Sequence, residues 1–144
     1  MNVWDVSGLE AMQGIVAGIF PPPAMATTMA MTFNEAGEGY VIFHATADER
    51  HLNPMGGVHG GFAATVLDSV TGCAVHTMLE AGVGYGTIDL QVKMLRPVPP
   101  HEEVIAKGQV LNISRNLGVS EGSLKTQSGK LLAHATCTCM IIRK

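Results

Sequence analysis

Residues 53–79 read NPMGGVHGGFAATVLDSVTGCAVHTML, and the part from Gly60 onward decides how the chain must fold. Phe62, Val66, Val70, Cys73 and Thr77 recur at the spacing of one helical face, while Ala63, Leu67, Ala74 and Met78 widen that face sideways. The spacing predicts a helix over 60–79 that is apolar around nearly its whole circumference. Such a helix is buried rather than laid on a surface. A membrane span is a poor alternative. His59, Asp68 and His76 interrupt the apolar run from Val58 to Leu79, and a carboxylate near a bilayer centre is costly.

Something must cover that helix, and the flanking sequence supplies it. Downstream, 87–95, 103–114, 117–126 and 130–142 read as strands, broken by Arg96-Pro97-Val98-Pro99-Pro100 and by turns at Asn116-Leu117-Gly118 and Ser128-Gly129. Four consecutive strands without intervening helices predict an antiparallel sheet and an α+β fold. Gly82, Gly84 and Gly86 follow the helix instead of preceding one, so they read as linker, not as a phosphate loop. Upstream, β-like runs at 26–33 and 39–47 flank Asn34–Glu38 as a hairpin, followed by a polar loop over 48–57. Before them a helix is expected over 7–20. Ser7 and Glu10 have capping-box spacing, Met12, Ile15, Val16 and Ile19 form a stripe, and Pro21-Pro22-Pro23 ends it. One domain over 1–144 is expected, with 1–25 as its N-terminal helix and Pro-rich connection.

Composition bounds the function. The 144 residues are 47% hydrophobic with 17 glycines and only 15% charged, against a usual charged share of ~25%. That apolar excess exceeds what a solitary small domain can bury, so a subunit interface is expected to absorb it. A net charge of −3 with no basic run argues against nucleic acid and against a polybasic membrane patch. The N-terminal sequence MNVWDVSGLEAMQG has neither a basic n-region nor an apolar h-region, so a cytoplasmic protein is expected. Cys73, Cys137 and Cys139 read as free thiols, the last two on one face of a strand. Neither the cysteines nor the six histidines have metal-site spacing, so no metal is expected.

Against this background one carboxylate is conspicuous. Asp68 is the only acidic residue between Glu49 and Glu80, and it falls in mid-helix. Burying it unpaired would be expensive. Either the helix turns it outward, a backbone donor satisfies it, or it lines a cleft as nucleophile or general base. The approach to the helix, Asn53 to Gly61, is glycine-rich. Glycines at a helix start let a ligand reach unsatisfied N–H groups, which can stabilise an oxyanion. His59 and Asn53 put polar side chains beside that point, although a structural histidine and a turn asparagine would look the same.

The pattern Asn53-x-x-Gly56-x-x-His59-Gly60-Gly61, followed by Asp68 in an apolar helix, resembles the phenylacetic acid degradation type (PaaI-like) branch of the hotdog-fold thioesterases. The order of elements from about Ala26 to Ile142 is similar to the hotdog order as well. The resemblance implies an antiparallel sheet wrapped around a long central helix. It also implies an obligate dimer with active sites at the interface; a homotetramer of two such dimers is expected, with the dimer alone left open. The implied activity is hydrolysis of an aryl- or short- to medium-chain acyl-CoA to free acid and CoA, with no cofactor, since coenzyme A is part of the substrate. The implied roles are Gly60 N–H polarising the carbonyl, with Asn53 and His59 orienting thioester or water from the same subunit. Asp68 of the other subunit would be base or nucleophile, with Thr87 positioning Asp68 or water. Serine is common at that last position, so Thr87 is a mild departure. Coenzyme A phosphates need local positive charge, for which Arg96 and Arg115 at strand ends are candidates. A hydratase or dehydratase on the same fold, and a non-catalytic acyl-CoA-binding protein, stay open as alternatives.

Overall fold

Period-two burial in the C-terminal half builds the sheet. Val104 and Ala106, Ser120 and Leu124, and Ala135, Cys137, Cys139 and Ile141 are buried, while alternate positions face outward. The computed structural model describes residues 2–144, so Met1 of the expected domain lies outside the described residues. Strands β1 (Met31–Gly37), β2 (Tyr40–Thr46), β3 (Gly84–Met94), β4 (Glu103–Ile113), β5 (Leu117–Thr126) and β6 (Leu131–Ile142) form one six-stranded sheet. Its order is β1-β2-β4-β5-β6-β3, and every adjacent pair is antiparallel. Helices α1 (Gly8–Val16) and α2 (Ala24–Thr28) precede it, and α3 (Gly60–His76) lies on its inner face against β2 through β6. This is the α+β hotdog arrangement, a long helix held by an antiparallel sheet.

The helix packs so closely because two strands carry no side chain beneath it. Gly108 of β4 and Gly122 of β5 are cross-strand partners. A Cβ at Gly108 would stand 2.0 Å from the Val70 carbonyl oxygen, and one at Gly122 would stand 2.9 Å from Thr71 Cγ2. Ser120 Oγ donates to the Thr71 carbonyl at 3.0 Å and pins the same turn of α3. Phe62, Val66, Leu67 and Val70 fill the core on either side. Toward the open side, Ala64, Thr65, Asp68, Ser69 and Cys73 are only partly covered.

Several expectations are corrected. Helix α1 stops at Val16, because Gly18 takes φ +78° and the Ile19 and Phe20 N–H groups return to the Gly14 carbonyl. The prolines are not what ends it. Ile19, expected in the buried stripe, is 74% exposed, and Phe20 packs inward instead. The predicted strand over 26–33 begins only at Met31, since 24–28 form α2 and Ala30 turns the chain at φ 49°. The hairpin turn falls at Glu38-Gly39, not 34–38, because β1 continues through a bulge between Phe33 and Glu35. Helix α3 ends at His76, where Thr77 Oγ1 donates back to the Ala74 carbonyl at 2.7 Å. Gly84 and Gly86 are strand residues of β3, paired with Ile142 and Met140, and not linker.

Candidate active site

A short loop delivers the N-terminus of α3. Asn53 Oδ1 accepts from Met55 N–H at 3.0 Å and Gly57 N–H at 3.1 Å, and Gly56 turns the chain at φ +88°. The Asn53 side-chain carbonyl is therefore spent on the loop, and its amide N–H₂ is the group left for a ligand. Leu52 and Val58 then pair as an isolated bridge, and His59 N–H donates to the His51 carbonyl at 2.7 Å. His51 is itself fixed, with Nε2 2.7 Å from the Thr28 carbonyl.

His59 is the N-cap of α3, and its Nδ1 accepts from Gly61 N–H at 2.8 Å. That bond assigns the ring proton to Nε2, on the exposed edge. No acceptor among the described residues takes the Gly60 N–H, as is usual for the first turn of a helix. A side chain at position 60 would stand 2.8 Å from Met94 Sδ, so glycine keeps that N–H approachable. Beside it opens a cavity of about 300 Å³ walled by Val58, Ala63, Met94, Leu95, Val98 and Leu132. Arg96 stands on its rim, with Nη1 donating to the Leu131 carbonyl at 2.8 Å. Met94 and Leu95 were not singled out from the sequence; they were legible only as the apolar end of a strand.

Asp68 lies two turns further along α3, on the partly covered strip. Its Oδ1 accepts from Thr87 Oγ1 at 2.9 Å. Helix rotation and a polar partner thus both satisfy the carboxylate, and the partner is a side chain, not a backbone donor. Thr87 reaches it because β3 has a bulge between Thr87 and Asp89, leaving Ile88 as the extra residue. Tyr85, Thr87, Leu90 and Val92 consequently all face α3 even though the alternation changes phase between them. Beneath Thr87 lie Cys139 Sγ at 3.9 Å and Cys137 Sγ at 4.0 Å, with 3.7 Å between the sulfurs. All three cysteines are free, as expected. The hydrogen bond to Cys137 and burial push the Cys139 thiol up; the same bond draws Cys137 down against burial. Burial pushes the Cys73 thiol up to about 11, with Tyr85 Oη 3.9 Å away. The Tyr85 phenol is in turn held well above its ordinary range by Cys73 and by burial.

The structure therefore brings the predicted residues together in two groups. Gly60, His59 and Arg96 line one cavity at the N-terminus of α3, Asn53 sits in the loop that leads to it, and Asp68 with Thr87 forms the second group. Eight residues of helix separate Gly60 from Asp68, about 12 Å along the axis. Arg115 belongs to neither group. It lies in the β4–β5 turn, tied to the end of β6 by Ile141 N–H donating to the Asn116 carbonyl, at the end of the sheet remote from Gly60.

A glycine-bounded helix N-terminus over a cavity can donate to a carbonyl oxygen, and a hydroxyl-held carboxylate can accept a proton. The sequence profile of the thioesterase superfamily matches residues 55–133, which include Gly60, Asp68 and Thr87. The chain belongs to the thioesterase superfamily. Among its relatives, human acyl-coenzyme A thioesterase 13 is 28% identical over 109 residues, 75% of this chain and 77% of that protein. A phenylacetic acid degradation-related protein of Ralstonia eutropha superposes with a TM-score of 0.81 at 32% identity, covering 90% of this chain and 98% of that one. A thioesterase-type protein of Streptococcus pneumoniae, crystallised with coenzyme A, has the same fold at a TM-score of 0.73 and 21% identity, covering 79% and 87% of the two chains. As a member of this superfamily the chain is a thioester hydrolase, and among the described residues no helix is long and apolar enough to cross a membrane.

Proposed function

We propose that this thioesterase hydrolyses acyl-coenzyme A, with an aryl- or short- to medium-chain acyl group, using Asp68 as base or nucleophile. The observation that carries the reading is the 2.9 Å bond from Thr87 to Asp68, which holds a carboxylate on the one uncovered strip of an otherwise buried helix. The coenzyme A-linked name of the human relative and the coenzyme A bound to the Streptococcus neighbour support the thioester class.

In this reading the thioester carbonyl accepts a hydrogen bond from Gly60 N–H, at the positive end of the α3 dipole. Asp68 takes a proton from water as the water oxygen bonds to the carbonyl carbon. The tetrahedral oxyanion forms on Gly60 N–H. Its collapse breaks the C–S bond and releases coenzyme A as a thiolate, which takes the proton held by Asp68, so that the thiol and the Asp68 carboxylate form together. If Asp68 attacks directly, its oxygen bonds to the carbonyl carbon, the C–S bond breaks to release the coenzyme A thiolate and leave a mixed anhydride, and water then cleaves the anhydride to free acid and the Asp68 carboxylate. His59 Nε2–H and the Asn53 amide are donors placed to orient thioester or water. Arg96, on the cavity rim, suits the phosphates of coenzyme A. The reaction involves no metal or organic cofactor, coenzyme A being part of the substrate.

A separation of about 12 Å is too long for Gly60 and Asp68 of one chain to act on one carbonyl. Two copies solve this. Strand β3 is an edge with unpaired backbone groups, and Ile88 (56% exposed), Met94 and Leu95 project from it. Pairing along this edge would set Asp68 of one subunit opposite Gly60 of the other and cover the open strip of α3. The same reading expects a cytoplasmic dimer, pairing into a homotetramer.

The test is thiol release from a panel of aryl-, short- and medium-chain acyl-CoAs, with wild type and Asp68→Asn. A folded Asp68→Asn protein is expected to lose at least about a hundredfold in kcat, in line with loss of a general base. Wild-type turnover in that variant rejects the mechanism, and binding without hydrolysis across the panel rejects the enzyme reading.

A further inference from the structure

We propose that the buried pair Cys137 and Cys139 positions the Thr87 hydroxyl, so that its single proton is directed at Asp68. This rests on Asp68 acting in hydrolysis, as argued above, but concerns residues that touch neither substrate nor the reacting atoms.

A threonine hydroxyl has one hydrogen and two lone pairs, and it rotates freely unless something fixes it. At Thr87 the hydrogen is committed, because Oγ1 lies 2.9 Å from a carboxylate oxygen that can only accept. The sulfurs occupy the other side: Cys137 Sγ donates toward Thr87 Oγ1 across 4.0 Å, and Cys139 Sγ stands 3.9 Å from the same oxygen. Both are long, weak polar contacts, and the sulfurs also lie 3.7 Å from each other. Together they seat the oxygen from below while Asp68 takes its proton. The two cysteines are 1% and 0% exposed, so the sulfur side of the oxygen is dry while Thr87 itself is exposed on its outer side. Strand register makes the arrangement: Cys139 is the direct cross-strand partner of Thr87, and the bulge at Ile88 makes Cys137 the partner of Leu90. Cysteine suits the place because its sulfur fills the volume of a small apolar side chain while still offering a weak donor and acceptor. A valine would fill the space but offer the oxygen only van der Waals contact, leaving the bond to Asp68 alone to seat the hydroxyl.

The experiment is a double-mutant cycle between Cys137→Ala and Thr87→Val in the intact protein, read by kcat and KM separately. Cys137→Ala is expected to lower kcat about three- to tenfold, the size of one modest hydrogen bond, with KM unchanged within about twofold. In the Thr87→Val background the same substitution is expected to change nothing further, because there is no hydroxyl left to position. If Cys137→Ala fails to fold, Cys139→Ala serves in the same cycle. A second readout needs no activity. The infrared S–H stretching band should move to higher frequency in Thr87→Val, as the thiol loses its oxygen partner. Wild-type kcat in Cys137→Ala, an equal loss in both backgrounds, or an unmoved S–H band each overturns the inference while leaving Asp68 its role. Wild-type turnover in Asp68→Asn overturns the underlying mechanism instead, so the two failures are distinguishable.

Discussion

Replacing Gly108 with alanine puts a methyl group where backbone already stands. The new Cβ would lie 2.0 Å from the Val70 carbonyl oxygen and 2.4 Å from its carbon, with Thr71 N at 3.0 Å. None of these atoms ends a flexible side chain, so none can swing aside. Helix α3 must lift off β4, or β4 must bow outward, by more than about 1 Å. A gap of that size forfeits a quarter to a half of the dispersion attraction of each contact it opens. Overpacking of this kind costs typically 1–3 kcal/mol, and a backbone-on-backbone clash belongs at the upper end, about 3 kcal/mol. With unfolding entropy near 2.1 cal/mol/K per residue, a chain of this length loses roughly 3 °C in Tm per kcal/mol, or about 10 °C in all. The assay is thermal unfolding by circular dichroism at one fixed protein concentration, because association raises Tm by mass action. Gly86→Ala is the control, since its Cβ would meet nothing closer than Ile142 Cδ1 at 3.8 Å. A Gly108→Ala Tm within about 2 °C of wild type would mean that the helix does not rest on this glycine, and would refute the packing argument.

Two further outcomes follow from backbone strain and burial. Ala30 sits at φ 49°, where a side chain is strained, so Ala30→Gly is expected to raise stability by about 0.5 kcal/mol after glycine's unfolded-state entropy is subtracted; unchanged or lower stability in urea unfolding would count against the strain. Burial holds the His76 imidazole below its ordinary value of 6.5, where it meets Tyr85 at a tilt of 47° with ring centroids 5.4 Å apart. The unfolded chain then binds the proton more readily than the folded one, so this contribution to stability is present above pH 6.5 and is lost as pH falls below it. His76→Phe should therefore flatten the drop in Tm between about pH 7 and pH 5, and an unchanged slope would show that His76 is not its source.

Much of this architecture was legible because it rests on short-range pattern. Burial requires helix α3 to be apolar on most sides, and half-burial requires β4, β5 and β6 to alternate, so periodicity found all four within a few residues. What failed was decided by backbone conformation or by contacts far away in sequence. Gly18 at φ +78° stops α1 before the prolines can, and nothing in the pattern distinguishes that glycine from Gly14, which continues the helix. Residues 26–30 read as the start of a β-like run, though Ala24–Thr28 form a short helix. The glycines at 84 and 86 belong to β3 because β6 pairs with them, a partnership between segments more than fifty residues apart. For the site, glycines, His59 and the isolated carboxylate were readable from residue chemistry alone. The Thr87 partner of Asp68 came from the family resemblance, and its bulge-dependent geometry had no local signal. Nor did the remoteness of Arg115 from the cavity, which depends on which end of the sheet the β4–β5 turn occupies.

The bulge at Ile88 also matters to whatever approaches the sheet from outside. An open edge offers a ruler of evenly spaced donors and acceptors, and a uniform ruler can be matched at many offsets. One surplus residue breaks the spacing, leaving Gly84–Thr87 and Asp89–Met94 as two short scales out of step with each other. A regular strand laid alongside can follow one scale or the other but not run unbroken across both. The kink that aims Thr87 at Asp68 thus serves also as a notch on the rim. It favours one seating over sliding and shortens the template available for indefinite stacking.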